Sequence, residues 1–438
     1  MVKGVRIRVQ GFKLPDGFKL GAATASLQIE GGDKNNSWYR WCEQGKTKDG
    51  THCIVADDHW NRVQEDVNLM EELNLQCYRM SLEWARIEPQ EGHFDSDAIE
   101  HYRNEIQLLL DRGIQPIVTL HHFSNPLWLE DSGAWLNHKV IDRFANYADF
   151  VVKSLGDLVE DWITINEPNV YLFHGYIEGI WPPGIRESPI QYLKGAKLMI
   201  LAHQKVYDLI HSIQSGKDRK CRVGVAHHLR VFEPLEGSLI SALTSKYYFR
   251  RLFEDIFLEG MTKGKLMLPL LGQGSGRNCA DFIGVNYYTR DLVRYMGLEV
   301  KKGARTNNLG WEIYPEGLFK ICQRVYETYK LPIIIAENGT CDARDEFRAS
   351  FIYDHLHQVA QLILSGVPIE AYCHWTLLDN FEWAEGLEAR FGLIEVDYQT
   401  QERKLRNSAR FYAKICAEKG ATEATLAEFL SDSSAGPE

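Results

Sequence analysis

The sequence predicts a (β/α)8 barrel, on three observations. Eight short apolar runs recur along the chain, segments of helical spacing fill the gaps between them, and no Ser/Pro/Gly-rich linker interrupts the series before Ser431. Strands alternating with helices pair in parallel through right-handed crossovers. Eight such units in 438 residues favour a closed barrel over an open doubly wound sheet. The reading is one barrel domain over residues 1–430, followed by a disordered tail, 431–438, of sequence SDSSAGPE.

The elements follow in order. The first strand is Phe18–Ala22, and Asp58 then opens a helix in which Trp60, Val63, Val67, Met70 and Leu73 share one face. The second strand, Gln76–Leu82, leads to a helix over Ile99–Leu110 that stops at the glycine of Asp111-Arg112-Gly113. Strands Pro116–Leu120 and Asp161–Ile165 flank a helix over Val140–Leu158, and Ile190–Ile213 fills the next gap. Strands Arg222–Ala226, Phe282–Asn286, Pro332–Ala336 and Glu370–His374 complete the eight, with helices over Leu239–Leu258, Glu316–Tyr329 and Ala349–Leu364 between them. No GxGxxG follows the first strand and no P-loop is present, so nucleotide-binding versions of the alternating pattern lose support.

Composition narrows the class of function. Apolar residues make up 45% and charged residues 25%, ordinary for a globular protein. A net charge of −11 argues against a nucleic-acid or anionic-membrane partner. The nine cysteines fall singly, without a CxxC pair, so neither a zinc motif nor a disulfide framework is indicated. The first residues, MVKGVRIRVQGFKLP, interleave charges with apolar residues and do not read as a signal peptide. No run is long enough to span a bilayer, and a cytoplasmic location is expected. Nothing in the sequence settles the oligomeric state.

Two strand ends carry the chemistry. PIIIAENGT, residues 332–340, is a buried strand that ends in Glu337 and the turn residues Asn338-Gly339. DWITINEPN, residues 161–169, ends in Glu167 and the breaker Pro168. In α/β barrels the carboxyl ends of the strands form the reactive face, and two carboxyl groups there are what cleavage of a glycosidic bond requires. The other strand ends supply Ser26, Gln28 and Glu30, then Arg79, His121 and His122, Asn166, then Asn286, Tyr287 and Tyr288, and finally Trp375, Glu382 and Trp383. That ring offers many hydrogen bonds and several apolar platforms but no cluster of cations for phosphate, which suits an uncharged sugar.

Taken together these motifs resemble glycoside hydrolase family 1, the β-glucosidase, β-galactosidase and β-mannosidase family, over roughly Pro15 to Tyr398. The resemblance implies that Glu167, in Asn166-Glu167-Pro168, is the acid/base. It implies that Glu337, in Glu337-Asn338-Gly339, is the nucleophile. It carries over Gln28, His122, Asn166, Glu382 and Trp383 as sugar-holding residues, with Trp375 as the stacking floor, and Arg79, Asn286 and Tyr288 as supports of the nucleophile. The expected partners are small β-glycosides, with no cofactor. Two departures bear on specificity. His121-His122-Phe123-Ser124 stands where the family has Tyr-His-Trp-Asp, so an indole N–H donor is missing at Phe123. Glu382, Ala389 and Phe391 stand where members acting on 6-phosphorylated sugars carry serine, lysine and tyrosine, so such sugars should be rejected.

Retaining chemistry asks for a charged Glu337 and a protonated Glu167. Arg79 and a tyrosine hydroxyl are expected to favour the first, and burial near a negative neighbour the second. The doublets His121-His122 and His227-His228 invite a metal reading, but adjacent strand residues face opposite ways, so each offers at most one inward ligand. No catalytic metal is expected. Trp128, Trp181 and Trp311 are candidate walls for the leaving group, with core packing the alternative for each. A transglycosylase, a metal-dependent barrel hydrolase and a non-catalytic glycan-binding barrel are the alternatives.

Overall fold

A computed structural model describes residues 10–216 and 220–430. The tail expected at 431–438 and most of the amino-terminal stretch read for a leader lie outside the described residues. Eight parallel strands close into a barrel: β1 (Lys19–Ala23), β2 (Cys77–Ser81), β3 (Gln115–His121), β4 (Asp161–Asn166), β5 (Arg222–His228), β6 (Ile283–Asn286), β7 (Ile333–Asn338) and β8 (Ile369–Trp375). Each pairs with its neighbours in sequence, and β8 returns to β1. Every expected strand is present. The strands are legible because a parallel strand covered on both faces is a short apolar run.

The outer layer contains α1 (His59–Glu72), α2 (Ser96–Asp111), α3 (Val140–Leu155), α4 (Pro189–Ser215), α5 (Ile256–Thr262), α6 (Pro315–Tyr329), α7 (Arg348–Leu364) and α8 (Asn407–Glu418). The turn after α2 forms as expected: Gly113 has φ +71° and its N–H bonds Leu110 O at 2.9 Å. Two features depart from the sequence reading. The helix expected over Leu239–Leu258 is interrupted by a π-helical stretch, Ser245–Asp255, where Ser245 Oγ donates to Phe232 O at 2.7 Å and Phe249 packs on Phe232. The helix α8 was not anticipated. It packs behind β1, where Tyr412 OH donates to Gly21 O at 2.7 Å.

Irregular register positions the reactive face. The β4–β5 ladder shifts between Ile163 and Asn166. The ladders of β7 with β6 and β8 also shift after Ile335. Such bulges re-aim the side chains that follow them. Both shifts fall immediately before a glutamate of interest. A second excursion follows β5 and β6, where Val231–Pro234, Arg290–Arg294 and Gly297–Glu299 form a small sheet above the barrel.

Candidate active site

Glu337 is the last buried carboxylate of β7. Arg79, from β2, donates through Nη1 to its Oε1, and Tyr288 OH donates to its Oε2 at 2.6 Å. Gly339 lets the chain turn tightly here, since a Cβ on it would lie 1.8 Å from Trp375 O. Glu167 follows β4 in left-handed backbone, φ +40°, and caps the helix Pro168–Phe173. Its Oε1 accepts from His228 Nδ1 at 2.9 Å and from Asn286 Nδ2 at 2.8 Å. One chain of contacts joins the two carboxylates. Arg79 Nη2 donates to Asn166 Oδ1 at 2.7 Å, and Asn286 Nδ2 spans from that oxygen, at 3.1 Å, to Glu167.

This geometry corrects one expected role. Asn286 was assigned to Glu337, but its side chain bonds Asn166 and Glu167. The register explains it: Asn286 pairs with Glu337 along the ladder, while its amide reaches across toward β4.

The remaining residues assemble on the same side. Because Asn166 Oδ1 accepts two N–H groups, its Nδ2 is the atom that donates to His122 Nε2, at 2.9 Å. The His122 proton is therefore on Nδ1, which is buried and has no partner. Gln28 donates through Nε2 to Phe381 O at 2.8 Å and Asn380 Oδ1 at 3.0 Å, leaving its buried Oε1 without a partner. A free N–H donor and a free acceptor, both buried, are the two complements a hydroxyl needs. Trp375 Nε1 donates to Glu382 Oε1 at 3.1 Å, and the His122 ring lies parallel to those of Trp375 and Trp383 at 5.9 Å each. Burial, with the negative charges of Glu337 and Asp379, pushes the Glu382 carboxyl up to about 8 against its bonds from Trp375 and Gln28.

Phe123 packs on Trp181 and Trp383, and the indole of Trp38 donates to its carbonyl at 3.1 Å. Of the three tryptophans weighed as walls, Trp181 and Trp311 stand beside Trp383 and Tyr288. Trp128 does not: it packs on Trp84 and bonds Glu88 O. His121 turns outward onto Asn125 and Trp135, as strand alternation requires.

Electrostatics depend on a residue that sequence reasoning considered only as a metal ligand. Burial raises the Glu167 carboxyl, while a positive charge on His228, the bonds from His228 and Asn286, and Arg79 all lower it; with His228 charged the balance falls below the usual value. The ring is neutral here. Arg230 Nε, which can only donate, meets His228 Nε2 at 2.8 Å, so the single ring proton is the one on Nδ1 that Glu167 receives. Without the imidazolium charge one lowering influence is gone, while the bonds from His228 and Asn286 and the charge of Arg79 still oppose burial. Glu337 is pushed up to about 7 by burial and by a charged Glu167, against Arg79 and Tyr288. Protonation of Glu167 would remove that repulsion and favour the charged form of Glu337. The only signal for Arg230 in the sequence is its place two residues beyond the His227-His228 doublet.

Comparison with known proteins gives the family. The family model described as Glycosyl hydrolase family 1 matches residues 10–421. The chain belongs to that family. The family 1 chain is 32% identical to beta-glucosidase A of Thermotoga maritima over 93% of its own length and 98% of that protein. It superposes on the beta-glycosidase from Pyrococcus horikoshii with a TM-score of 0.89, at 35% identity, covering 96% of this chain and 98% of the other. Structures of the Thermotoga maritima beta-glucosidase with glucoimidazole and with galacto-hydroximolactam each give a TM-score of 0.87 at 30% identity, covering 93% of this chain and 99% of theirs. The family 1 protein is thus an O-glycosyl hydrolase. No helix among its described residues is long and apolar enough to cross a membrane.

Proposed function

We propose that this hydrolase is a retaining, exo-acting β-glucosidase that also accepts β-galactosides and β-fucosides, with Glu337 as nucleophile and Glu167 as acid/base. The observation that carries the reading is the separate solvation of the two carboxylates. Glu337 receives a guanidinium and a phenol, which suit a charged oxygen. Glu167 receives a neutral imidazole and an amide, which tolerate a proton.

In the first half-reaction Glu337 attacks the anomeric carbon while Glu167 gives its proton to the departing oxygen, leaving a glycosyl ester on Glu337. The ester carries no charge, so Glu167, now ionised, accepts a proton from water as that water attacks the same carbon. Two inversions restore the β configuration. Arg79 and Tyr288 hold Glu337 for attack and receive it back as a carboxylate.

Gln28, Glu382 and His122 are the proposed partners of the sugar hydroxyls, with Asn166 beside the ring, and Trp375 and Trp383 supply platforms for its C–H faces. Broad acceptance of sugars is supported by the gluco- and galacto-configured inhibitors bound to the Thermotoga maritima relative. Rejection of 6-phosphorylated sugars is supported by Glu382 with Ala389 and Phe391, which provide no cation for a phosphate. The nine free cysteines suit the reducing cytoplasm as the place of action. A panel of nitrophenyl β-glycosides, with proton NMR of the first-formed sugar, tests the whole reading. The β anomer should appear first, and initial release of the α anomer would overturn double displacement.

A further inference from the structure

Away from the reactive carboxylates, the segment after β1 brings together three groups that the chemistry above does not use. Cys42 lies in the short helix Ser37–Glu43, and His52 and Cys53 lie in the loop that returns beside it. One donor atom from each falls within 4.8 Å of the other two. The thiols are 7% and 3% exposed, and the His52 side chain is 26% exposed, so one side of the cluster faces solvent.

We propose that Cys42, His52 and Cys53 form a zinc site, with its fourth position open to water. The imidazole already has the tautomer a metal needs. His52 Nδ1 carries the ring's lone pair, which accepts the Ile54 N–H at 3.0 Å and would exchange that bond for the metal, and the proton on Nε2 points at Glu43 Oε1, 3.1 Å away. A carboxylate behind a ligating histidine is the usual outer partner of zinc. Zinc–sulfur bonds of about 2.3 Å and zinc–nitrogen bonds of about 2.0 Å place donors roughly 3.5 Å apart, so from separations within 4.8 Å a contraction of up to ~1.3 Å completes the site. Two thiolates and an imidazole favour zinc over the hard cations magnesium and calcium.

The consequence for the enzyme lies in what the loop holds. Lys48 N donates to Ala384 O at 2.8 Å, and Asp49 Oδ2 accepts the N–H groups of Leu387 at 2.7 Å and Glu388 at 3.1 Å. These bonds fasten the segment just beyond Glu382 and Trp383. A metal that pins Cys42 to His52-Cys53 therefore acts as a staple on the sugar-binding side of the pocket and takes no part in bond cleavage.

The test uses the untagged full chain, equilibrated with zinc under reducing conditions, desalted and assayed by mass spectrometry for metal. About one zinc per chain is expected, with cobalt substitution giving thiolate-to-metal charge-transfer absorption. The double variant Cys42→Ser/Cys53→Ser should lose both signals. His52→Gln, at a partly exposed position, should lower zinc affinity on the order of tenfold or more. Stripping the metal should raise KM for a β-glucoside more than it lowers kcat, with recovery on zinc addition. Equal zinc content in the wild type and the double variant, or a metal-free Cys42–Cys53 disulfide in the reduced preparation, would overturn the proposal.

Discussion

Arg230 Nε meets His228 Nε2 at 2.8 Å, while the other nitrogen of the same ring bonds Glu167. The arginine is itself held, through Nη1, by Asp291 at 3.1 Å, and its backbone N–H by Glu254 at 2.7 Å. This relay keeps a neutral donor, in place of a cation, beside Glu167, the proposed acid/base.

His228→Asn preserves a neutral amide donor close to the position of Nδ1 and should leave the pH profile of kcat/KM nearly unchanged. His228→Lys places a charge there. A cation lowers the Glu167 pKa, the protonated form is lost at lower pH, and the alkaline limb should move to the acid side by one unit or so, the order of shift an adjacent opposite charge produces. A profile recorded for both variants decides. Equal profiles would mean that His228 does not act on Glu167 through charge.

Glu337→Ala should abolish turnover on every substrate. Glu167→Ala should slow cleavage of an alkyl β-glucoside by about 10²–10⁴-fold, while leaving glycosyl-enzyme formation from a dinitrophenyl glucoside much less affected, because that leaving group needs no proton. Single-turnover rates on the two substrates provide the check. Equal losses would remove the acid role from Glu167.

Gly339→Ala puts a Cβ against Trp375 O. The backbone of β7 or β8 must move, at a cost of about 1–3 kcal/mol, and both Glu337 and Trp375 move with it. The urea midpoint should fall, and kcat should drop by more than that destabilisation alone explains, since the protein remains folded in the absence of urea.

A buried cluster on the outer layer should give stability a pH dependence of its own. His59 bonds Asp66 at 2.7 Å and Glu105 at 3.2 Å, and Arg403 bonds Asp66 at 2.9 Å. Burial opposes the imidazolium, yet Glu105 and Asp66 outweigh it and hold His59 well above its ordinary value. A raised histidine stabilises the fold fully below its unfolded value of about 6.5, and that contribution is lost as pH rises through the folded value. His59→Gln should cost about 3–5 kcal/mol near neutrality, the order found when one partner of a buried ion pair is removed. Its Tm should also lack the wild-type decline on the alkaline side. Parallel Tm profiles would show that His59 is neutral in the fold.

The barrel, its order and both glutamates were legible in the amino-acid sequence because each rests on local pattern. A strand covered on both faces is an apolar run, and a carboxylate followed by Pro168 or by Asn338-Gly339 announces a strand end. What escaped is set by contacts between distant segments. The side chain of Asn286 could face either glutamate, and only the closed barrel shows its amide reaching across to Glu167. Cys42 is separated from His52-Cys53 by a loop of no fixed spacing, so no motif marks their meeting. The folding of Arg230 back onto His228, beside Glu167, was likewise closed to sequence reasoning. Periodicity and turn chemistry act over a few residues. Hydrogen-bond partners and local charge act through space, and the closing of the barrel is what brings them within reach.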